Sequence, residues 1–339
     1  MEVNTSSSAR IVLSLTGLLL LLPLSLLLPN CAPKPAETKT ETLKLIVFSR
    51  PSPLVLGEAK GFFAAEGIKL DITQTRSSTE QIRGILDGTW DIAHTSPDNV
   101  IAYVESEGAD LSIFSGLDHG LKMSLFTQPN IKSIKDLKGK TLGVDALATG
   151  FAFVLRKMLL VNGLDLNKKD YELLAVGGTA QRYQALKEGK IVGALLTPPW
   201  DDQAKQEGFN SLVAAGDIMD SYLSTVWAGR RAWAKDHSDL LVRFLRAYVK
   251  SVDWATNPSN HKEAVSLVAK DQNISEEVAA RRFDQEMDPA TGAIPKAALD
   301  LKGLDTVIKL RAEMGFLKPP IPSADKYYDL TYYNRAVKK

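Results

Sequence analysis

The chain has 339 residues, 45% of them apolar and 24% charged, with 41 basic side chains against 40 acidic ones. That length allows about two domains with substantial cores, and the composition is that of an ordinary soluble globular protein. A balanced charge with no basic stripe argues against nucleic acid as a partner, and a single cysteine rules out an internal disulfide.

The N-terminus departs from that composition. Ile11 to Leu28 is an apolar run of 18 residues, interrupted by Ser14, Thr16, Gly17, Pro23 and Ser25 and preceded by Arg10. Such a run reads as an export signal or an uncleaved membrane anchor. Cys31 follows it directly and resembles the lipid-attachment cysteine of bacterial lipoproteins. Leu28 fits that pattern three positions upstream, while Pro29 and Asn30 stand where small residues are usual. Residues 1–31 are therefore expected to be a signal or lipoprotein-type export segment, with a cleaved soluble form and an uncleaved anchor as the alternatives. Each places the folded part outside the cytoplasmic membrane. Residues 32–41 (APKPAETKTE) have two prolines, alternating charge and no large apolar side chain, and read as a flexible tether.

From Leu43 onward strands and helices alternate. Leu43–Phe48 is an apolar run of strand length, stopped by Ser49-Arg50-Pro51-Ser52-Pro53. An amphipathic helix over Leu54–Glu66 ends at Gly67, and a strand follows over Lys69–Gln74. Ser78 is placed to cap a helix over Thr79–Asp87. A strand at Trp90–Thr95 leads to Ser96 and Pro97, which suit the cap and first position of a helix over Asp98–Glu107. Leu111–Leu117 and Met123–Thr127 are strands again. This alternation predicts a mostly parallel sheet covered on both faces.

The order then recurs through Thr141–Val144, Phe151–Asn162, Tyr171–Val176, Thr179–Glu188, Gly193–Thr197, Pro199–Glu207 and Ser211–Ala215. Residues recur with it: Thr79-x-Gln81 matches Thr179-x-Gln181 at an offset of 100. Gly88, Ala93 and Pro97 match Gly189, Ala194 and Pro198 at 101. Two similar α/β lobes are expected. Lys138-Gly139-Lys140-Thr141 tempts a phosphate-loop reading that fails, because Ile134 replaces the first glycine and the motif precedes its strand. After a last strand at Ser224–Ala228 the chain is expected to be helical over 232–236, 239–255, 262–270, 275–286 and 296–314. A tyrosine cluster at Tyr327, Tyr328, Tyr332 and Tyr333 is expected to pack the tail onto the body.

Three segments resemble one family. Residues 53–68 (PLVLGEAKGFFAAEGI) are similar to the segment P-x-x-x-A-x-x-x-G-F-F-x-x-E-G-L of substrate-binding proteins of the nitrate, sulfonate and taurine type, with Gly57 and Ile68 departing from it. Ile85-Leu-Asp-Gly88 with Asp91 and Ala93 resembles their A-L-x-x-G-x-x-D-x-A, and residues 136–144 resemble the start of their second domain. These proteins serve ABC importers, and the group includes aminopyrimidine binders. The resemblance implies a two-lobed periplasmic-binding-protein-like (type II) α/β fold, its lobes joined by a hinge of two crossover strands. Lobe one would comprise 42–120 with 225–339, and lobe two 121–224. It further implies capture of a small-molecule ligand in the cleft by hinge closure and delivery to an ABC transporter permease. The protein is expected to act as a monomer in the periplasm or lipid-anchored at the outer face of the cytoplasmic membrane, without catalytic residues, metal or cofactor.

Ligands of open α/β sheets sit beyond the carboxyl ends of the strands. That rule selects Ser49, Arg50 and Ser52; His94, Thr95, Ser96 and Asp98; and Asp118 and His119 at the crossing. In the second lobe it selects Asp145, Ala148, Thr149 and Gly150, then Gly177, Gly178 and Thr179, then Pro198, Pro199, Trp200 and Asp201. Arg50 is expected to grip an oxyanion in two-pronged fashion, or else to pair with Asp98 or Asp118. Ser96 and Thr179 could equally serve as helix caps, the histidines as structural groups, and Trp200 as a packing residue. Helix N-termini, hydroxyls and Arg50 favour a sulfonate, carboxylate or nitrate. The four aspartates with Trp200 favour an amine or heterocycle.

Overall fold

The structure is a computed structural model, and it describes residues 40–338. The expected export segment, Cys31 and the expected tether up to residue 39 lie outside the described residues. Buried Leu43, Leu45, Ile46 and Val47 make β1 (Glu41–Val47). The prolines that stop it also open α1 (Ser52–Ala59), since proline's fixed φ suits a first helical turn. The single helix expected to Glu66 is two: Gly61, at φ 69°, separates α1 from α2 (Phe62–Ala65). Only glycine enters that conformation without penalty. β2 (Ile68–Gln74) and α3 (Ser78–Asp87) follow, the latter capped by Ser77, one residue before the expected Ser78. Then come β3 (Ile92–Thr95), α4 (Pro97–Glu107) capped by Ser96 as expected, and β4 (Leu111–Asp118).

The chain next builds a second sheet. Its elements are β5 (Ser124–Thr127), β6 (Thr141–Val144), α5 (Gly150–Val161), β7 (Glu172–Ala175), α6 (Thr179–Lys187), β8 (Gly193–Leu196), α7 (Trp200–Gln206) and β9 (Asn210–Ala214). Gly139, at φ 70°, makes the turn before β6, so the Gly-Lys-Thr is a turn element. The chain returns through β10 (Thr225–Arg230). It continues as α8 (Arg231–Asp236), α9 (Ser238–Ala255), α10 (His261–Gln272), α11 (Glu276–Glu286), α12 (Leu301–Glu313) and α13 (Thr331–Val337). The helix expected from Lys296 starts only at Leu301, where Asp300 caps it. The tyrosine segment is partly helical, with Tyr332 edge-on to Phe114 at 5.8 Å.

The two five-stranded sheets share one topology: β2-β1-β3-β10-β4 and β7-β6-β8-β5-β9. Each is parallel except for the strand next to its last, β10 and β5, which runs antiparallel to both neighbours. The crossings lie side by side: Thr225 pairs with Asp118, and Ser224 N–H donates to the Asp118 carbonyl at 2.8 Å. The motif Asp91 is structural, its carboxylate accepting from Lys44 N–H at 2.9 Å and so tying β3 to β1. One apolar cluster runs through both lobes, from Ile46 and Val100 to Leu142 and Phe153, joined by Leu304, Val307 and Ile308 of α12.

Candidate binding cleft

The carboxyl ends of β1, β3, β6 and β8, the loop after β7, the crossings and residues of α9 to α11 line one cavity of about 1170 Å³. Of the residues selected from the sequence, Ser49, Arg50, His94, Thr95, Ser96, Asp118, Asp145, Thr149, Gly150, Gly178, Thr179, Pro199 and Trp200 line it. Pro198 lines it as well, whereas Ser52, Asp98, His119, Ala148, Gly177 and Asp201 do not. Ser52 is buried below the floor, where its N–H donates to Glu286 at 2.7 Å and its hydroxyl to the other oxygen of that carboxylate. Asp98 is buried behind the floor, both its oxygens 3.0 Å from Nη1 of Arg311. His119 faces Asp300 at 3.3 Å in the crossing.

The residues that do line the cavity differ from expectation in what holds them. Arg50 pairs with neither Asp98 nor Asp118: Glu58 and Asp271 hold its guanidinium, so a two-pronged grip on a ligand would compete with two carboxylates. Ser96 acts as the cap of α4, accepting from Asp98 N–H at 3.3 Å. Thr149 caps α5 and donates to Asp145 at 2.7 Å. Thr179 is not a cap; it accepts from Arg182 at 2.9 Å and lies 3.4 Å from the hydroxyl of Thr197. Trp200 both lines the cavity and stacks on Tyr183, ring centres 5.1 Å apart. His94 packs against Trp227, and its Nδ1 has no partner among the described residues. Burial lowers its pKa to about 4, so it is neutral near pH 7.

Several groups at the cleft escaped the sequence reading. Arg182, on α6, is buried and lines the cavity. Glu286, at the end of α11, lines the wall that also carries Asp118. Burial and then the charge of Glu286 push the Asp118 carboxyl up to about 7, and burial raises Glu286 itself. Asp201, selected from the sequence but set back from the cavity lining, is raised to about 6 by burial, and its neighbour Asp202 accepts from Gln285 of α11 at 3.4 Å. Tyr248, Asp271, Arg282 and Gln285 belong to helices that share no pattern with the repeat, so no sequence signal marked them. Arg182 had one. Gln81 donates to the carbonyl of His94 at 2.9 Å, and Arg182 donates to that of Leu195 at 3.0 Å. Both members of the second pair stand 101 residues after the first. The helices of the two lobes align at 101, not at the 100 read from Thr79 and Thr179, and 101 pairs Gln81 with Arg182.

Residues 50–261 match the profile of the family described as NMT1/THI5 like. The chain is 26% identical over 272 residues to a putative aliphatic sulfonates-binding protein of Bacillus subtilis (strain 168), covering 77% of this chain and 80% of the relative. Among solved structures it is similar to the alkanesulfonate-binding protein SsuA from Xanthomonas axonopodis pv. citri bound to MOPS. That likeness has a TM-score of 0.71 at 14% identity and covers 86% of this chain and 99% of the other. It is also similar to the periplasmic nitrate-binding protein NrtA from Synechocystis PCC 6803, with a TM-score of 0.72 at 15% identity over 88% of each chain. At such identities the two structures show a common fold.

Proposed function

The chain belongs to the NMT1/THI5-like family, and from that premise we propose that it is an extracytoplasmic solute-binding protein. It captures a small polar organic ligand or oxyanion between its lobes and hands it to the permease of an ABC importer, without turnover. The observation that carries this reading is the cavity between two sheets of identical strand order, lined from both sides at strand ends. The side-by-side crossings at Asp118 and Thr225 suit a hinge. We assign 42–120 with 225–339 to lobe one and 121–224 to lobe two. The relatives named for sulfonates and nitrate support an oxyanion on the ligand. Asp118 and Glu286 on the opposite wall favour a ligand that also carries a nitrogen. The protein works as a monomer, exported and lipid-anchored through Cys31.

Native mass spectrometry of the purified protein tests the reading by identifying a co-purified solute, followed by thermal shifts with sulfonates, nitrate, bicarbonate, aminopyrimidines and amino acids. A true ligand at about 1,000-fold its Kd stabilises the fold by about 4 kcal/mol and shrinks the radius of gyration in small-angle scattering. Conversion of any such ligand to product would instead mark an enzyme. For the anchor, Cys31→Ser should release the protein from membranes, and retention would point to an uncleaved segment.

A further inference from the structure

Among the described residues, no side chain neutralises the charge of Arg182. It is 2% exposed and lines the cavity. Its Nε donates to the Leu195 carbonyl at 3.0 Å, Nη1 to the Gly177 carbonyl at 3.1 Å and Nη2 to the Thr179 hydroxyl at 2.9 Å. All three acceptors are neutral. Among the described residues no carboxylate pairs with it; Asp145, the acid whose field reaches it, accepts instead from the Thr149 hydroxyl at 2.7 Å. Phe151 covers the guanidinium, 5.6 Å from ring centre to Cζ. A guanidinium has five N–H donors, so one remains on each terminal nitrogen. A buried cation without a counter-ion is costly and calls for one.

Lobe one contains the control. At the matching position Gln81 donates to the matching carbonyl, that of His94, and is itself fully buried. The architecture therefore needs a donor there and no charge. The positive charge in lobe two is surplus to the fold, and it stands at the cleft.

We propose that Arg182 selects the sign of the ligand, balancing a carboxylate or sulfonate group seated beside Thr179 and Thr197. It also orients Thr179. Because that oxygen already accepts from Arg182, its own proton is left to donate, toward the cavity or to Thr197. The proposal rests on the solute-binding reading and adds the residue that sets its specificity, in place of the carboxylate-held Arg50.

Calorimetric titration of the purified wild type, Arg182→Gln and Arg182→Lys with ethanesulfonate, taurine, acetate, nitrate, bicarbonate and ethylammonium tests it. The glutamine variant copies lobe one, so it should fold. We expect it to bind the best anion at least about 10-fold more weakly, the strength of one charged hydrogen bond. The lysine variant, which keeps the charge, should recover part of that loss. Equal affinity of wild type and Arg182→Gln overturns the proposal, as does a loss that lysine leaves unrelieved, which marks a packing role. Tight binding of ethylammonium with no anion bound also overturns it while leaving the solute-binding reading intact. If no solute binds and scattering shows no closure, both fail.

Discussion

The two lobes have the same strand order and are finished differently. In lobe one the last strand, β4, is buried along nearly its whole length. The C-terminal chain seals its edge, through Asp329 N–H to the Ile113 carbonyl at 2.9 Å and Ile294 N–H to that of Leu117 at 3.0 Å. The matching strand of lobe two, β9, and its edge strand β7 stay partly exposed. α9 packs its apolar side on the lobe-one sheet, where Trp227 meets Phe244 and Tyr248 edge-on. The same sheet topology thus yields a heavily buttressed lobe and a lighter one. The buttress is also what brings Glu286, Asp271 and Tyr248 to the cleft, so one wall of the site is made by helices outside the repeat.

The difference predicts unequal sensitivity to substitution. Trp227 and Leu125 occupy matching positions, opposite His94 and Leu195 on the antiparallel strands. Trp227→Ala should cost about 3–5 kcal/mol in urea unfolding, the upper range for a buried aromatic, and Leu125→Ala about 2–3 kcal/mol. A larger loss from Leu125 would reverse the ranking of the lobes. Arg311 tests the tie between them, because it pairs with Asp98 of lobe one and reaches the Ala148 carbonyl of lobe two. Arg311→Met should cost about 3 kcal/mol by stranding a buried carboxylate, and adding Asp98→Asn should return part of that. No recovery in the double variant would mean that Arg311 acts by packing on Phe153 and Phe316.

The cleft also makes stability depend on pH. Asp118 is raised to about 7 in the folded state, against about 4 in an unfolded chain. The folded protein therefore holds more protons between those values, and this group makes stability fall as pH rises from about 4 to about 7. Asp98 and Asp201, each raised to about 6, act in the same direction. His94, lowered to about 4, acts in the opposite one, favouring the fold as pH rises toward 6.5. Asp118→Asn should flatten the decline of the urea midpoint over pH 4–7, and an unchanged slope would remove Asp118 as its source. The smallest effect belongs to the exposed edge: Leu174→Ser on β7, at a residue 43% exposed, should move stability by no more than about 0.5 kcal/mol.

Much of this was legible in the residues. Apolar runs of strand length, Ser96-Pro97 at the start of α4 and the recurrence of Gly88 and Ala93 at Gly189 and Ala194 report local geometry. Local geometry depends on near neighbours in the chain. Two similar lobes and the strand-end loops that line the cleft followed from them. The break at Gly61 and the late start of α12 were missed because helical periodicity continues across both.

What the sequence by itself determined is therefore the repeat, its element order and the loops that line the cavity, all set by side-chain period, caps and turns. Tertiary structure alone decided which charges those loops can use. Arg50 is held by Glu58, 8 residues away, and by Asp271, 221 residues away. Asp98 is claimed by Arg311 from α12, and Glu286 arrives from α11. A charge is neutralised by whatever the fold brings within a few ångströms, and that proximity has no signature in sequence spacing. Arg182 stands out for the same reason, as a buried cation to which the fold brings no carboxylate among the described residues.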